Sequence, residues 1–328
     1  MTTTNTTRRT LLHPSDKDGC GFYRILQPAT ALSELRPLHF VLSYRYYMIH
    51  ELKHHNIDKV VLQRHTDPHM LEHLKFYKSL NLKIVHDQDD LLWQVPPTNP
   101  YHRYFKGVNK KILREALSMS DTIVASTEEL AEQTYKFVRK RPVILPNMVS
   151  KKHYQAPTKR TGEKLRIGWA GSNTHVGDLR IISPLVADTL DKYTWVFMGY
   201  CDPAWKDKVE FHQFVPVATY MDKVKSLNLD AVVIPLEQNL FNECKSRVKL
   251  LEFGAIGVPA VTTDIAPYKY NPNPKIASNT KAWRNFRGVL ESWEDESVRY
   301  QAALDAFAWA KTGCLEDSID DIQKAWTL

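Results

Sequence analysis

Short apolar segments alternate with amphipathic helical segments along most of the chain, and this alternation limits the fold more than any other feature. The strands that it predicts are 38–42, 59–64, 82–87, 122–125, 143–145, 165–170, 194–198, 230–236 and 259–263. Strands that alternate with helices form parallel sheets that are covered by helices on both faces. The sequence therefore predicts an α/β fold built from doubly wound, Rossmann-like parallel sheets.

The stretch 146–164 interrupts this alternation, because it is polar and basic and has no clear period. We predict a linker at 151–164 that joins an N-terminal domain, 1–150, to a second domain, 165–295. A helical segment at 296–328 is expected to pack back on the first domain. Ligands of such sheets lie beyond the carboxyl ends of the strands, so we expect a site in a cleft where the two domains face each other.

The composition is that of a globular protein with excess positive charge. Hydrophobic residues make up 43% of the 328 residues, and the net charge of +7 favours a polyanionic partner. No run is long and apolar enough to span a membrane, and the first residues lack an apolar signal core, so we expect a cytoplasmic protein. The four cysteines are scattered without a Cys/His cluster, which predicts reduced thiols and no structural zinc.

Four motifs carry groups that could bind a ligand, and the first is Gly19-x-Gly21-x-x-Arg24. It follows a predicted strand at 11–13 and precedes a helix that is expected to begin near Ile25. Two glycines allow a backbone to approach a phosphate closely, and a helix N-terminus favours the anion. Arg24 could contact the phosphate as well. A plain tight turn explains the glycines equally well.

The second motif is the strand-to-helix connection 171–175, which contains Gly171, Ser172 and His175. Backbone N–H groups in such a connection can bind an anion. The alternative is an ordinary turn between a strand and a helix.

The third motif combines cations with a single acid in the stretch 245–252. Lys245 and Lys249 share a helix face if the helix begins early enough, and Glu252 follows three residues after Lys249. Cations followed by an acid suggest a pyrophosphate beside a ribose. Surface ion pairs are the alternative, although the Gly-Val-Pro turn at 257–259 favours a tightly packed position at a strand end.

The fourth motif is the acid-rich stretch 86–90, directly after a predicted strand. Crowded carboxylates such as Asp87 and Asp89 need a cation, a sugar hydroxyl or a proton, and His86 could act as an acid or a base. A helix cap by Asp89 or Asp90 is the structural alternative. A metal site is not required by this pattern.

Taken together, the motifs resemble the retaining GT-B glycosyltransferases that use nucleotide sugars. The likeness is most specific in 165–268, where the matching residues are Lys245, Ser246, Leu251, Glu252, Gly254, Ala255, Gly257, Val258, Pro259, Thr263, Asp264, Pro267 and Tyr268. It implies a GT-B fold, a nucleotide-sugar donor, with UDP-sugar expected, and no requirement for a metal ion or another cofactor.

The resemblance also implies roles for individual residues. Glu252 would bind the ribose hydroxyls, and Lys245 or Lys249, with the 171–175 loop and Ser246, would bind the pyrophosphate. The nucleotide base would be flanked by residues at strand ends, which are Gly199, Tyr200 and Val215. From the N-terminal domain, Gly19, Gly21 and Arg24 would close over the phosphates. His86 or Asp87 of the same domain would face the sugar and the acceptor.

One position departs from the family pattern. The family often places an acid eight residues before the acid that corresponds to Glu252, and Cys244 occupies that position here. The neighbouring Glu243 is therefore a candidate for the contact with the transferred sugar. Either the register is shifted by one residue or the first acid is absent.

The acceptor is predicted from charge and from the likeness of the Gly-x-Gly-x-x-Arg opening to phage-encoded enzymes. The favoured acceptor is a hydroxymethylated pyrimidine in DNA, because phosphate contacts dominate affinity for DNA and a basic protein supplies them. The candidate residues toward DNA are Tyr44, Arg45, Tyr46, Tyr47, Lys53, Arg103, Lys106, Lys110 and Lys111. A lipid or polysaccharide acceptor, a nucleotide-sugar epimerase, and a non-catalytic module that binds nucleotide or DNA are the alternatives.

Overall fold

The structure is a computed structural model, and it describes residues 8–64, 66–159, 162, 164–277 and 281–327. Residues 1–7, in which we expect no apolar signal core, and part of the predicted linker (160, 161 and 163) lie outside the described residues. The chain divides into two compact units. Unit 1 is assigned to Met1–Trp93, Tyr104–Asn147 and Leu315–Leu328, and unit 2 to Gln94–Arg103 and Met148–Cys314. The segment Gln94–Arg103 lies within the range predicted for the first domain but belongs to unit 2.

Unit 1 is built on a six-stranded parallel sheet with the order β2-β1-β3-β4-β5-β6. Its strands are β1 (Arg9–His13), β2 (Phe40–Leu42), β3 (Ile57–Gln63), β4 (Lys83–Gln88), β5 (Thr122–Ala125) and β6 (Val143–Ile144). The helices between them are α1 (Gly19–Gly21), α2 (Gln27–Leu35), α3 (Ile49–His54), α4 (Pro68–Ser79), α5 (Val108–Met119) and α6 (Glu128–Val138).

Local sequence explains where these helices begin. Asp67 caps α4 by accepting a hydrogen bond from the Met70 N–H at 2.8 Å, and Pro68 occupies the first turn, where no N–H donor is needed. Thr127 caps α6 by accepting from the Leu130 N–H at 3.1 Å. These caps fix the connections that follow the carboxyl ends of β3 and β5.

Unit 2 is built on a second six-stranded parallel sheet with the order β12-β11-β10-β7-β8-β9. Its strands are β7 (Arg166–Gly171), β8 (Thr194–Gly199), β9 (Glu210–His212), β10 (Ala231–Ile234), β11 (Ala260–Thr263) and β12 (Lys275–Ile276). Its helices are α7 (Val176–Arg180), α8 (Ser183–Asp188), α9 (Val217–Ser226), α10 (Leu240–Glu243), α11 (Val248–Ala255), α12 (Ala282–Ser292) and α13 (Glu296–Ala310). The predicted α/β fold with two parallel sheets is confirmed.

Both faces of the unit 2 sheet are buried, as a doubly wound sheet requires. Along β7, Trp169 packs into one hydrophobic cluster and Ala170 into the other. Along β8, Phe197 and Met198 divide in the same way. Helices therefore cover each face, and the strand ends remain as the place where polar groups can reach a ligand.

One helix start differs from the sequence prediction. The helix predicted to begin near Ile25 begins at Gly19 and continues through a π-helical turn, Phe22–Leu26, into α2, so the glycines lie within the helix rather than in a turn before it. This start has no side-chain cap that the pattern could reveal. Helix α11 has Arg247 as its N-cap, so it begins too late to carry Lys245 on the same helix face as Lys249.

The C-terminal segment is helical as predicted, but its helices divide between the units. Helix α13 packs on α11 within unit 2, whereas α14 (Ile319–Ala325) packs on α2 within unit 1. Short 3-10 turns occur at Leu92–Gln94, Lys151–His153, Asn173–His175, Ala266–Tyr268, Lys311–Gly313 and Glu316–Ser318. Among the helices that the structure describes, none has both the length and the apolar character needed to cross a membrane.

Candidate functional site

The carboxyl end of β7 in unit 2 brings a glycine and a lysine together. The strand ends at Gly171, and a Cβ atom at this position would lie 2.6 Å from Lys249 Nζ. Glycine therefore allows the ammonium group to lie against the backbone where the strand ends. Ser172 caps the short turn Asn173–His175 that follows.

Lys249 is held as a partly buried cation. Its Nζ lies 4.8 Å from the centroid of the Trp169 ring, which is a cation–π distance. Burial lowers the pKa of Lys249 to about 8, with Lys245 acting in the same direction and Glu252 and Asp178 acting against it. The ammonium group is thus still mostly protonated at neutral pH, and an anion that binds here recovers the electrostatic free energy that burial costs.

A histidine–carboxylate pair lies beside this lysine. His175 Nδ1 donates to Asp178 Oδ2 at 2.7 Å, and Asp178 Oδ1 accepts from the Glu237 N–H at 2.7 Å and from Asn242 Nδ2 at 2.9 Å. Burial, together with the charges of Lys249 and Lys245, lowers the pKa of His175 to about 4, although the hydrogen bond to Asp178 acts in the opposite direction. The hydrogen bond from His175 holds the pKa of Asp178 below its ordinary value despite burial, so the pair is a neutral imidazole on a carboxylate.

Glu252 lies on α11 one turn after Lys249 and is 4% exposed. Its Oε2 accepts a hydrogen bond from the Tyr220 hydroxyl at 3.2 Å. Burial and the nearby carboxylate raise the pKa of Tyr220 well above its ordinary value, so the phenol remains a donor. The lysine and the acid predicted from the sequence are therefore brought to one part of the unit 2 sheet.

The turn between α10 and α11 supplies the second cation. Lys245 Nζ lies 4.5 Å from the centroid of the Phe241 ring, and its charge lowers the pKa of both His175 and Lys249. The three groups therefore face one region although Lys245 is not on the helix. Ser246 accepts from the Val248 N–H at 3.5 Å, at the start of α11.

Glu243, the acid next to Cys244, accepts hydrogen bonds from within unit 2, including one from the loop that follows β11. Glu243 Oε2 accepts from the Ala266 N–H at 3.0 Å, and its other oxygen accepts from Gln238 Nε2. Cys244 itself is fully buried. The position of the expected family acid thus presents no side chain to a ligand, and Glu243 is engaged by the loop that follows β11.

The end of β8 reaches the same edge of the sheet. Gly199 has φ +89°, and a Cβ atom there would lie 2.4 Å from the Gly171 carbonyl oxygen and 2.5 Å from the Phe214 ring. Phe214 is 51% exposed and stacks on Tyr220 with ring centroids 6.0 Å apart. Val215 packs against the cluster that contains Tyr220, and burial raises the pKa of the nearby Tyr200. An exposed aromatic ring beside a glycine suits a flat, uncharged ligand group.

In unit 1, the predicted phosphate contacts are used inside the protein. Arg24 is 1% exposed and forms a two-hydrogen-bond ion pair with Asp87, with Nε–Oδ1 at 2.7 Å and Nη2–Oδ2 at 2.8 Å. Its Nη1 donates to the Leu145 carbonyl at 2.6 Å and to Asn147 Oδ1 at 2.8 Å. Although burial opposes it, the Asp87 charge raises the pKa of Arg24.

The two glycines of the first motif have different surroundings. A Cβ atom at Gly21 would lie 2.1 Å from the Asp16 carbonyl oxygen, whereas one at Gly19 would have no atom within 4 Å. Asp16 Oδ1 accepts from the N–H groups of Asp18 and Gly21, both at 2.9 Å. Gly21 thus permits a close contact within the loop, and the structure shows no comparable constraint at Gly19.

A second arginine, which sequence reasoning missed, neutralises the acid-rich motif. Arg64 lies directly after β3 with φ +55°, and it contacts Asp89 Oδ1 at 2.9 Å and Asp90 Oδ2 at 2.6 Å. Burial raises the pKa of Asp89 to about 6 against the Arg64 charge. The sequence signal for this contact was a basic residue directly after the strand that neighbours β4.

His86 is fully buried in β4. Within the described part of the chain, no group of three or more His, Cys, Asp and Glu could hold a metal ion.

Comparison with known proteins rests on structure alone, since no protein-family model and no curated protein sequence matches the chain. HepE of Anabaena in complex with UDP-glucose has a TM-score of 0.67 at 10% identity, covering 98% of this chain and 99% of that one. Sucrose-phosphate synthase from Thermosynechococcus elongatus has a TM-score of 0.67 at 11% identity, covering 98% of each chain. An α-glucosyltransferase in complex with UDP and a 13-mer DNA has a TM-score of 0.62 at 11% identity, covering 96% of this chain and 99% of that one. Likeness over nearly the whole of both chains shows that this chain has the GT-B fold of these glycosyltransferases.

Proposed function

We propose that this protein is a glycosyltransferase that takes a sugar from a nucleotide-sugar donor, a UDP-sugar, bound by unit 2. The observation that carries the proposal is the position of Lys249 Nζ, 2.6 Å from where a Cβ atom of Gly171 would lie and one helical turn from the buried Glu252. A cation and an acid at this spacing match a diphosphate and a ribose. The fold supports the proposal, because similar structures include proteins in complex with UDP and UDP-glucose.

Each part of the donor has a matching group in unit 2. Lys249 and Lys245 bind the diphosphate, and Glu252, held by Tyr220, accepts hydrogen bonds from the ribose hydroxyls. The uracil ring lies beside Gly199 and the exposed ring of Phe214. Charge complementarity of this kind fixes the orientation of the ligand as well as its affinity.

The chemistry follows from the charge that develops when the glycosidic bond to phosphate breaks. The leaving diphosphate gains negative charge, and the two lysines stabilise it from fixed positions. These cations supply the positive charge for departure of the leaving group, so we propose transfer without a required metal ion. Attack by the acceptor on the same face, with retention of configuration, is proposed from the resemblance to retaining enzymes.

The donor proposal is tested by a thermal-shift screen over nucleoside diphosphates and their sugars. A ligand that binds only the folded protein raises the melting temperature. We expect UDP and UDP-sugars to do so in the wild type, and we expect Lys249→Ala to remove most of the shift. Lys208→Ala, an exposed lysine of the same unit, is the matched control and should leave the shift unchanged. No shift with any nucleotide would contradict the proposal.

For the acceptor, we propose a hydroxymethylated pyrimidine in DNA. The net charge of +7 supports it, and so does the likeness to the α-glucosyltransferase that was solved with DNA. The test measures release of UDP from a UDP-sugar in the presence of duplex DNA that contains 5-hydroxymethylcytosine. Unmodified duplex DNA is the control. Release with the modified duplex alone supports the proposal.

The same preparation distinguishes the alternatives for the acceptor. Turnover with anionic lipid vesicles and none with DNA would favour a lipid acceptor. DNA binding that weakens steeply with salt, without any UDP release, would favour a non-catalytic binding module.

A further inference from the structure

We propose that binding of the donor diphosphate is coupled to uptake of one proton by His175, and that Asp178 is the positioning residue that holds the ring to receive it. This inference rests on the proposed donor site. It adds a proton-linked step that the fold itself does not imply.

The ring of His175 is held in one orientation. Its Nδ1 donates to Asp178 Oδ2 at 2.7 Å, and the two side chains are 14% and 5% exposed. Asp178 is itself fixed by the Glu237 N–H and by Asn242 Nδ2. Because Nδ1 is used by Asp178, Nε2 is the nitrogen that remains for a ligand, and the neutral ring carries no proton there.

Charged groups from several neighbouring elements face His175. Lys249 of α11 and Lys245 of the preceding turn are cations, whereas Asp178 of α7 is an anion. Trp169 of β7 packs edge-on against the ring with centroids 6.1 Å apart. The carboxylate of Glu237 lies against Gly177, on the helix that follows His175.

Donor binding changes this balance. The pKa of His175 is about 4 in the free protein, chiefly through burial and then through the Lys249 charge. The diphosphate of a nucleotide sugar carries two negative charges, which offset the two lysines and favour the imidazolium. Nε2 then takes a proton from solvent, and the Nε2–H group donates a charge-assisted hydrogen bond to a phosphate oxygen.

Isothermal titration calorimetry with UDP-glucose measures the proton directly. Titrations at about pH 6 in two buffers of different ionisation enthalpy give the number of protons taken up per donor bound. UDP-glucose is the correct probe, because its diphosphate is esterified at both ends and does not itself titrate near neutral pH. Lys249 is already protonated at this pH, since its pKa is about 8.

We expect the wild type to take up roughly half to one proton and to bind about tenfold more tightly at about pH 5.5 than at about pH 7.5. His175→Gln keeps an amide donor but cannot titrate, so it should bind without uptake and without this pH dependence. Asp178→Asn should reduce the uptake, because the carboxylate that stabilises the imidazolium is lost. His212→Gln is the matched control and should keep the wild-type uptake, because it removes a different histidine–carboxylate pair of unit 2, His212–Glu210 at 2.7 Å.

Binding of UDP-glucose without proton uptake by the wild type would overturn the inference and leave the proposed function intact. Equal uptake by the wild type and by His175→Gln would overturn it as well. If neither UDP-glucose nor any other nucleotide sugar binds, the proposed function fails, and the inference fails with it.

Discussion

Arg24 and Asp87 form a buried ion pair in unit 1, joined by two hydrogen bonds at 2.7 and 2.8 Å. This pair connects the π-helical turn after β1 to the carboxyl end of β4. Removing one partner leaves the other charged and buried, so Asp87→Asn should lower the free energy of unfolding by about 3–5 kcal/mol. Urea unfolding followed by circular dichroism measures this change. Arg36→Ala, which breaks the exposed Arg36–Asp320 pair, should cost less than about 1 kcal/mol; equal losses in the two variants would contradict the assignment.

The position of Lys249 Nζ beside Gly171 predicts the effect of adding a single methyl group at residue 171. Gly171→Ala places a Cβ atom 2.6 Å from Lys249 Nζ and 2.8 Å from the Trp169 ring, so the ammonium group must move. We expect UDP to bind at least about tenfold more weakly, because the displaced cation no longer meets the phosphate. Gly288→Ala is the control, since a Cβ atom there meets no atom within 4 Å. Unchanged UDP affinity in Gly171→Ala would separate Lys249 from the donor site.

The role of Glu252 can be tested by comparing two ligands, one with the ribose hydroxyl groups and one without them. If its carboxylate accepts hydrogen bonds from the ribose, Glu252→Gln should weaken binding of UDP by about tenfold. The same variant should bind 2′,3′-dideoxy-UDP as well as the wild type does, because that analogue lacks the hydroxyl groups. Equal weakening for both ligands, measured by calorimetry, would assign Glu252 a structural role through Tyr220 instead.

His175 also predicts how stability depends on pH. Its pKa is about 4 in the folded protein and about 6.5 when unfolded, so the unfolded chain binds more protons between these values and stability falls as pH falls through this window. At about pH 5 the loss relative to neutral pH should be about 2 kcal/mol. His175→Gln should lack this part of the pH dependence. Parallel pH profiles of unfolding for the two proteins would contradict a buried, neutral His175.

The sequence predicted the architecture well because parallel strands that are buried on both faces are continuous apolar runs. The strands β9 and β12 were missed, because Glu210–His212 and Lys275–Ile276 each contain only one apolar residue and therefore show no apolar run. The start of the first helix was misplaced because Gly19 and Gly21 read as turn residues, although in the structure they lie at a helix start.

The two candidate sites differ in how much the sequence revealed. In unit 2, Lys249 and Glu252 are three residues apart on one helix, so local spacing placed them together. In unit 1, the partner of Arg24 is Asp87, which is 63 residues away, and no local pattern relates them. The same holds for Arg64, whose contact with the acid-rich motif depends on β3 and β4 being neighbours.

The most direct test of the central claim is the rate of UDP formation from a UDP-sugar in the presence of an acceptor, compared between the wild type, Lys249→Ala and Lys208→Ala. The account predicts that Lys249→Ala lowers kcat/KM by about 100-fold or more, because the leaving diphosphate loses a fixed cation, while its unfolding curve stays that of the wild type. It predicts wild-type kinetics for Lys208→Ala. Wild-type kcat/KM in Lys249→Ala, with the true donor, would contradict the assignment of this site.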